Sequence, residues 1–93
     1  MFGLSNKIYE KILNIISKYN CKFVLFGSRA RGDYKENSDI DIAVLNEVDE
    51  EIEYAIRNSF DLLEIPYTID IVFVRKGIKE ELEEAIKKEG VEL

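Results

Sequence analysis

The sequence contains no histidine, no tryptophan, one cysteine and one proline among its 93 residues. Without histidine there is no imidazole base, no Ser-His-Asp or Cys-His machinery, and no ordinary zinc site. Cys21 stands alone and cannot form an internal disulfide. No early apolar run reads as a signal peptide or as a membrane span of about 20 residues, so a cytoplasmic location with no membrane partner is expected. Basic charge is also in deficit, with 13 Lys and Arg against 19 Asp and Glu and a net charge of -6. Holding a polynucleotide by phosphate neutralisation needs a basic face, so stable nucleic-acid binding is not expected, although a local basic patch could still grip one triphosphate.

Any chemistry must therefore rest on carboxylates, which select hard cations such as Mg2+ or Mn2+. With 46% apolar and 34% charged residues the chain reads as folded. Its length leaves room for one core and one site, so residues 1–93 are expected to form a single domain. The abundance of Lys, Glu and Ile would suit a heat-loving source. No internal repeat, linker or low-complexity segment interrupts the chain.

Ile8, Ile12, Ile15, Ile16 and Tyr19 recur at helical spacing and predict an amphipathic helix over 5–20. Lys22 to Phe26 reads as a short buried strand stopped by Gly27 and Ser28, with room for one helical turn over 28–31. Strict alternation over 39–45 puts Asp39, Asp41, Ala43 and Leu45 on one side of a second strand and Ile40, Ile42 and Val44 on the other. Asp49 suits the N-cap of a helix running to about Leu63, before Pro66. A third strand over 67–74 turns Thr68, Asp70, Val72 and Val74 to one face. A charged helix over 78–89, closed by Gly90, leaves a stub at 91–93. The order implies an α+β domain in which a small mixed sheet carries its helices packed on one face.

Asp39 and Asp41, at i and i+2 of one strand, point the same way and can converge on a cation, although two such acids can equally line a solvent-facing strand edge. Asp70 strengthens the first reading, because it is the one acid within the apolar run Ile69, Asp70, Ile71, Val72. A charge set there has to be compensated, by a shared metal or by pairing with Arg29 or Arg75. Gly27 and Ser28 end the first strand in a turn whose exposed amides can cradle phosphate, and Arg29 and Arg31 follow at once. The spacing of Gly27 and Gly32 imitates a P-loop, but Asp33 and Tyr34 stand where Lys and Ser or Thr are needed, so that reading fails. The tripeptide Arg31-Gly32-Asp33 is set aside as a chance match to a cell-adhesion motif.

The stretch Gly27-Ser28-Arg29-Ala30-Arg31-Gly32-Asp33, followed by Ser38-Asp39-Ile40-Asp41-Ile42-Ala43-Val44, resembles the signature of the DNA polymerase beta-like nucleotidyltransferases. That signature joins Gly-Ser to Asp-x-Asp across about ten residues, and its four fixed positions coincide by chance on the order of once in 10^5. The likeness covers nearly the whole chain and is strongest to the minimal nucleotidyltransferases that act as antitoxins beside HEPN-domain toxins. It implies a polymerase beta-like fold, with Asp39, Asp41 and Asp70 as catalytic residues and metal ligands. It further implies that Asp70 is the base, that Gly27 and Ser28 bind the nucleotide, and that Arg29 and Arg31 support the phosphates. ATP would be the substrate, two Mg2+ or Mn2+ ions the cofactor, and a tyrosine of a HEPN-like toxin the acceptor.

So small a chain is expected to lack a further domain that completes its cleft, and a homodimer or a hetero-oligomer with the toxin is expected. The alternative function is a binding module that neutralises its partner by occlusion without catalysis. A metal-dependent glycosyltransferase, suggested by Asp-x-Asp alone, needs a far larger nucleotide-sugar domain and gives Gly27 and Ser28 no role.

Overall fold

Alternating side-chain direction decides which residues of each strand face which core. The computed structural model describes residues 1–75 and 77–93. Its elements are α1 (Asn6–Ile16), β1 (Phe23–Phe26), α2 (Ser28–Arg31), β2 (Ile40–Val44), α3 (Glu50–Asp61), β3 (Ile69–Phe73), α4 (Glu80–Glu89) and β4 (Val91–Glu92). The strands form one sheet in the order β3-β2-β1-β4, with β2 and β3 parallel and the other pairs antiparallel. The expected α+β architecture with a mixed sheet is therefore present.

One face of the sheet presents Phe23, Leu25, Ile40, Ile42, Val44 and Phe73 to Ile12 and Ile15 of α1 and Ile56 and Phe60 of α3. Tyr19, just beyond α1, locks these helices together: its hydroxyl donates to Ala55 O at 3.0 Å and lies 2.7 Å from Ser59 Oγ. The caps follow local chemistry, since Ser5 Oγ accepts from Ile8 N at 3.2 Å and Asp49 Oδ1 from Ile52 N at 2.9 Å. The helix expected to reach Asn20 ends at Ile16, with Ser17 as its C-cap.

Packing of the helices on one face alone is corrected by α4. Val24, Phe26 and Ala43 build a second, smaller core with Ile86, and Val72, Val74 and Leu82 pack against it. A sheet apolar on both faces needs cover on both, and α4 supplies it on the side that carries Asp41 and Asp70. The stub at the C-terminus also acquires a role: Val91 and Glu92 pair with Leu25 and Val24, and Leu93 N donates to Phe23 O at 3.0 Å. Gly90 is extended (φ -65°, ψ 141°), so its value is not left-handed freedom. A Cβ there would meet the Ile86 carbonyl and the Val24 side chain, and its absence lets the chain cross tightly from α4 to β4.

Truncating a side chain enclosed between sheet and helices should cost far more than truncating an exposed one. Ile56→Ala is expected to lower the unfolding free energy by about 2–5 kcal/mol in urea titrations, against about 0.5 kcal/mol or less for Leu62→Ala. Ile56 is fully buried and Leu62 is 73% exposed.

Candidate active site

The parallel register sets Asp41 of β2 beside Asp70 of β3. Neighbouring strands lie about 4.8 Å apart and paired residues share a face, so the two carboxylates stand together on the side that α4 covers only in part. Asp39 lies one residue before β2, exposed, and its charge reaches Asp41. Burial pushes the Asp41 carboxyl above its ordinary value of 3.8, the charges of Asp70 and Asp39 push it further the same way, and Arg31 partly opposes them. None of the three acids forms an ion pair with a described residue. Among the described residues no three acidic side chains are gathered closely enough to form a metal-ligand cluster.

One expectation about Asp70 changes. The apolar run around it suggested a buried charge, but β3 is the last strand of the sheet and Asp70 is exposed. Only its Ile69 and Ile71 neighbours turn inward, onto the larger core. The solvent beside Asp70 is what leaves room for a ligand.

Gly27 follows β1 at the same end of the sheet, in a conformation (φ 77°, ψ -160°) open essentially to glycine alone. A Cβ on Gly27 would run into the Asp41 carboxylate, so glycine is required for the turn and for the closeness of that turn to the acid. Helix-start amides lack intrahelical acceptors, and in α2 these belong to Ser28 and Arg29. The backbone donors of the turn thus open beside Asp41.

The two arginines part company. Arg31 is exposed and bridges α2 to α4, donating to Glu89 Oε2 at 2.9 Å and to Asp33 at 3.2 Å, while still close enough to act on Asp41. Arg29 is not where phosphate contact would put it. It is 2% exposed and sandwiched by Tyr67 and Tyr34, with its carbon 4.6 and 5.2 Å from the ring centroids. Its nitrogens donate to Ser38 O at 2.9 and 3.1 Å and to Phe2 O at 3.0 Å, with a longer bond of 3.4 Å to Glu36 O. A guanidinium has five donors and no acceptor, which suits a cluster of backbone carbonyls, and here it pins the loop that delivers Asp39.

A cleft of about 460 Å3 opens over this end of the sheet and includes Asp41, Asp70, Phe26, Val72 and Leu82. Arg57 and Asp61 of α3 also line it, which the sequence reading missed. Both are charged residues on the outer side of an amphipathic helix, and no sequence signal separates them from an ordinary solvated face.

The raised carboxyl of Asp41 has a consequence for pH. The folded chain keeps this proton at a pH where the unfolded chain has lost it, so that ionisation weakens the fold as pH rises through the interval, and the loss persists above it. Asp41→Asn should therefore raise the melting temperature of the metal-free protein at pH 7, with the gain shrinking as pH falls through that interval and gone below about pH 3. Gly27→Ala should do the opposite, costing about 1–3 kcal/mol through backbone strain and displacement of Asp41. Arg29→Gln should destabilise by about 1–3 kcal/mol by leaving buried carbonyls unpartnered. Thermal and urea unfolding read all three.

Residues 10–93 match the family described as polymerase beta, nucleotidyltransferase. A protein of Methanocaldococcus jannaschii provisionally named a protein adenylyltransferase is 33% identical over 97 residues, covering 94% of this chain and 93% of the relative. A second protein of that organism with the same description is 64% identical over 47 residues, 46% of this chain, and the match spans 47% of the relative's length. Among solved structures, a toxin-antitoxin complex with AMP-PNP contains a chain that superposes with a TM-score of 0.64 at 24% identity, over 89% of this chain and 69% of that one, a likeness of fold. A mutant of the toxin-antitoxin pair MntA-HpeT, with two Asp-to-Glu substitutions, matches with a TM-score of 0.57 at 26% identity, over 96% of this chain and 72% of that one. Family match, fold and register together make this chain a member of the polymerase beta nucleotidyltransferases, of their minimal type.

Proposed function

We propose that this protein transfers AMP from ATP to a hydroxyl of a protein acceptor, a tyrosine of a HEPN-type toxin, and thereby acts as its antitoxin. The observation that carries the reading is the in-register pair Asp41 and Asp70 beside the Gly27 turn. The relatives named for protein adenylyltransferase activity and the toxin-antitoxin neighbours support it. The catalytic and nucleotide-binding roles given to individual residues below belong to the same proposal.

The donor set fits a hard divalent cation, because Asp39, Asp41 and Asp70 offer carboxylate oxygens without competing ion pairs among the described residues. These three would hold Mg2+, or Mn2+, as a two-ion site. Such ions, when bound, neutralise the triphosphate and the departing pyrophosphate. The rest falls to the chain's own groups. The amides of the Gly27-Ser28 turn bind phosphate oxygens, and Arg31 contributes positive charge at the rim, while Arg29 positions the loop bearing Asp39 and does not touch the nucleotide. Asp70 accepts the acceptor's proton as the hydroxyl oxygen bonds to the α-phosphorus and the bond to pyrophosphate breaks. Positioning and charge neutralisation dominate such a reaction, and a very small domain can provide both.

Co-expression with the HEPN-type partner, followed by intact-mass measurement, should show the partner heavier by whole AMP units and its toxicity lost. Asp41→Asn and Asp70→Asn should each lower transfer by about 10^3-fold or more, and EDTA should abolish it. Neutralisation that survives Asp41→Asn with partner binding unchanged would instead identify occlusion as the function.

A further inference from the structure

Residues of a strand point their backbone groups alternately to either side. Ile40 N donates to Thr68 O, and Val74 N to Val44 O, each at 2.9 Å. With Ile40 paired to Ile69 and Val44 to Phe73, this turns the N–H and C=O groups of Thr68, Asp70, Val72 and Val74 towards β2. Those of Ile69, Ile71 and Phe73 point the other way, into the open edge of the sheet. Among the described residues one side chain bonds to these outward groups, Arg57, whose Nη1 donates to Ile71 O at 3.3 Å.

Exposed edges are ordinarily blunted by lysine, proline, a bulge or a covering loop. The strand Ile69-Asp70-Ile71-Val72-Phe73 holds neither lysine nor proline and pairs with β2 without a bulge. The cleft follows this same edge, running from Asp41 and Asp70 round β3 to Arg57 and Asp61. The space beside the acids therefore continues along a row of free main-chain donors and acceptors.

We propose that this edge is the acceptor subsite: an extended polypeptide segment adds to β3 as a further strand, and its register carries the acceptor hydroxyl to Asp70. The proposal rests on the adenylyl-transfer reading and adds how the acceptor is held. Strands pair about 4.8 Å apart with partner side chains on one face, so the residue opposite Asp70 stands beside it on the face that carries the carboxylates. Main-chain bonding gives affinity with little dependence on sequence, and the flanking side chains tune it. Arg57 yields Ile71 O to the incoming strand while keeping its contact with Phe73, 4.9 Å from the ring centroid, and its pairing with Glu53 at 3.8 Å. Asp61, exposed in the cleft, favours a basic residue in that segment. A polynucleotide acceptor fits less well, because Asp61, which lines the cleft outside the proposed metal ligands, would repel its phosphodiesters.

The test uses a lysine-flanked tyrosine peptide in three forms: unmodified, and N-methylated at alternate residues in each of the two possible phases. Hydrogen exchange at the Ile69, Ile71 and Phe73 amides is read without ATP, and AMP transfer to the peptide is read by mass spectrometry with ATP and Mg2+. The unmodified peptide is expected to slow exchange at those amides and to accept AMP. One methylation phase should lower both effects by about tenfold or more, as lost hydrogen bonds dictate, and the other should leave them nearly unchanged. Equal behaviour of the two phases, or unslowed exchange at all three amides with the unmodified peptide at millimolar concentration, would overturn the proposal. Phase-dependent protection without AMP transfer would uphold edge docking while refuting the adenylyl-transfer reading.

Discussion

Asp41 and Asp70 face the same way from adjacent parallel strands, and the cost of ionising Asp41, set first by burial and then by the charge of Asp70, is the constraint on which the site depends. The fold tolerates the pair because β3 is an edge strand and Asp70 stays wet, while Asp41 sits half-buried against the Gly27 turn. A half-buried carboxylate beside like charges weakens the fold when ionised and favours whatever brings positive charge to it. A site that is costly when empty and relieved when filled couples folding to ligand binding, since stability then rises with occupancy.

The surrounding architecture serves that arrangement from two sides. Beneath the sheet, α1 and α3 bury the isoleucine faces of β2 and β3 and so fix the register that aligns the acids. Above it, α4 covers β1 and part of β2 through Ile86 and Leu82 but leaves Asp41 and Asp70 accessible. Arg29 ties the site loop to the body of the protein: buried, it donates to Ser38 O and Glu36 O on the chain leading to Asp39 and to Phe2 O near the N-terminus. The loop from Gly32 to Ser38 thus gains a fixed end without secondary structure of its own.

Much of this was legible in the chain itself. Period-two alternation put Asp41 and Asp70 on a common face, while Asp39 lies just outside the strand, and the glycine-serine turn upstream marked the end of β1. Less visible was anything set by spatial neighbours. An arginine that follows a phosphate-binding turn reads as a phosphate ligand, and only tertiary structure reveals that Tyr34, Tyr67 and three carbonyls enclose Arg29. The apolar flanks of Asp70 suggested burial because strand patterning cannot tell a central strand from an edge. Arg57 and Asp61 enter the cleft from an outer helix face, and α4 takes the opposite side of the sheet because the second face of β1 is apolar too.

In the proposed site, Asp39, Asp41 and Asp70 close on a divalent ion beside Gly27. A Mn2+ titration followed through backbone amide resonances tests it directly, since paramagnetic broadening reports proximity to the ion. Selective broadening of Gly27, Ser28, Asp41 and Asp70, removed by excess Mg2+, is the result this account predicts. Broadening centred on the acidic first turn of α4, at Glu80, Glu81 and Glu83, with the Gly27 and Asp41 signals unaffected, would contradict it.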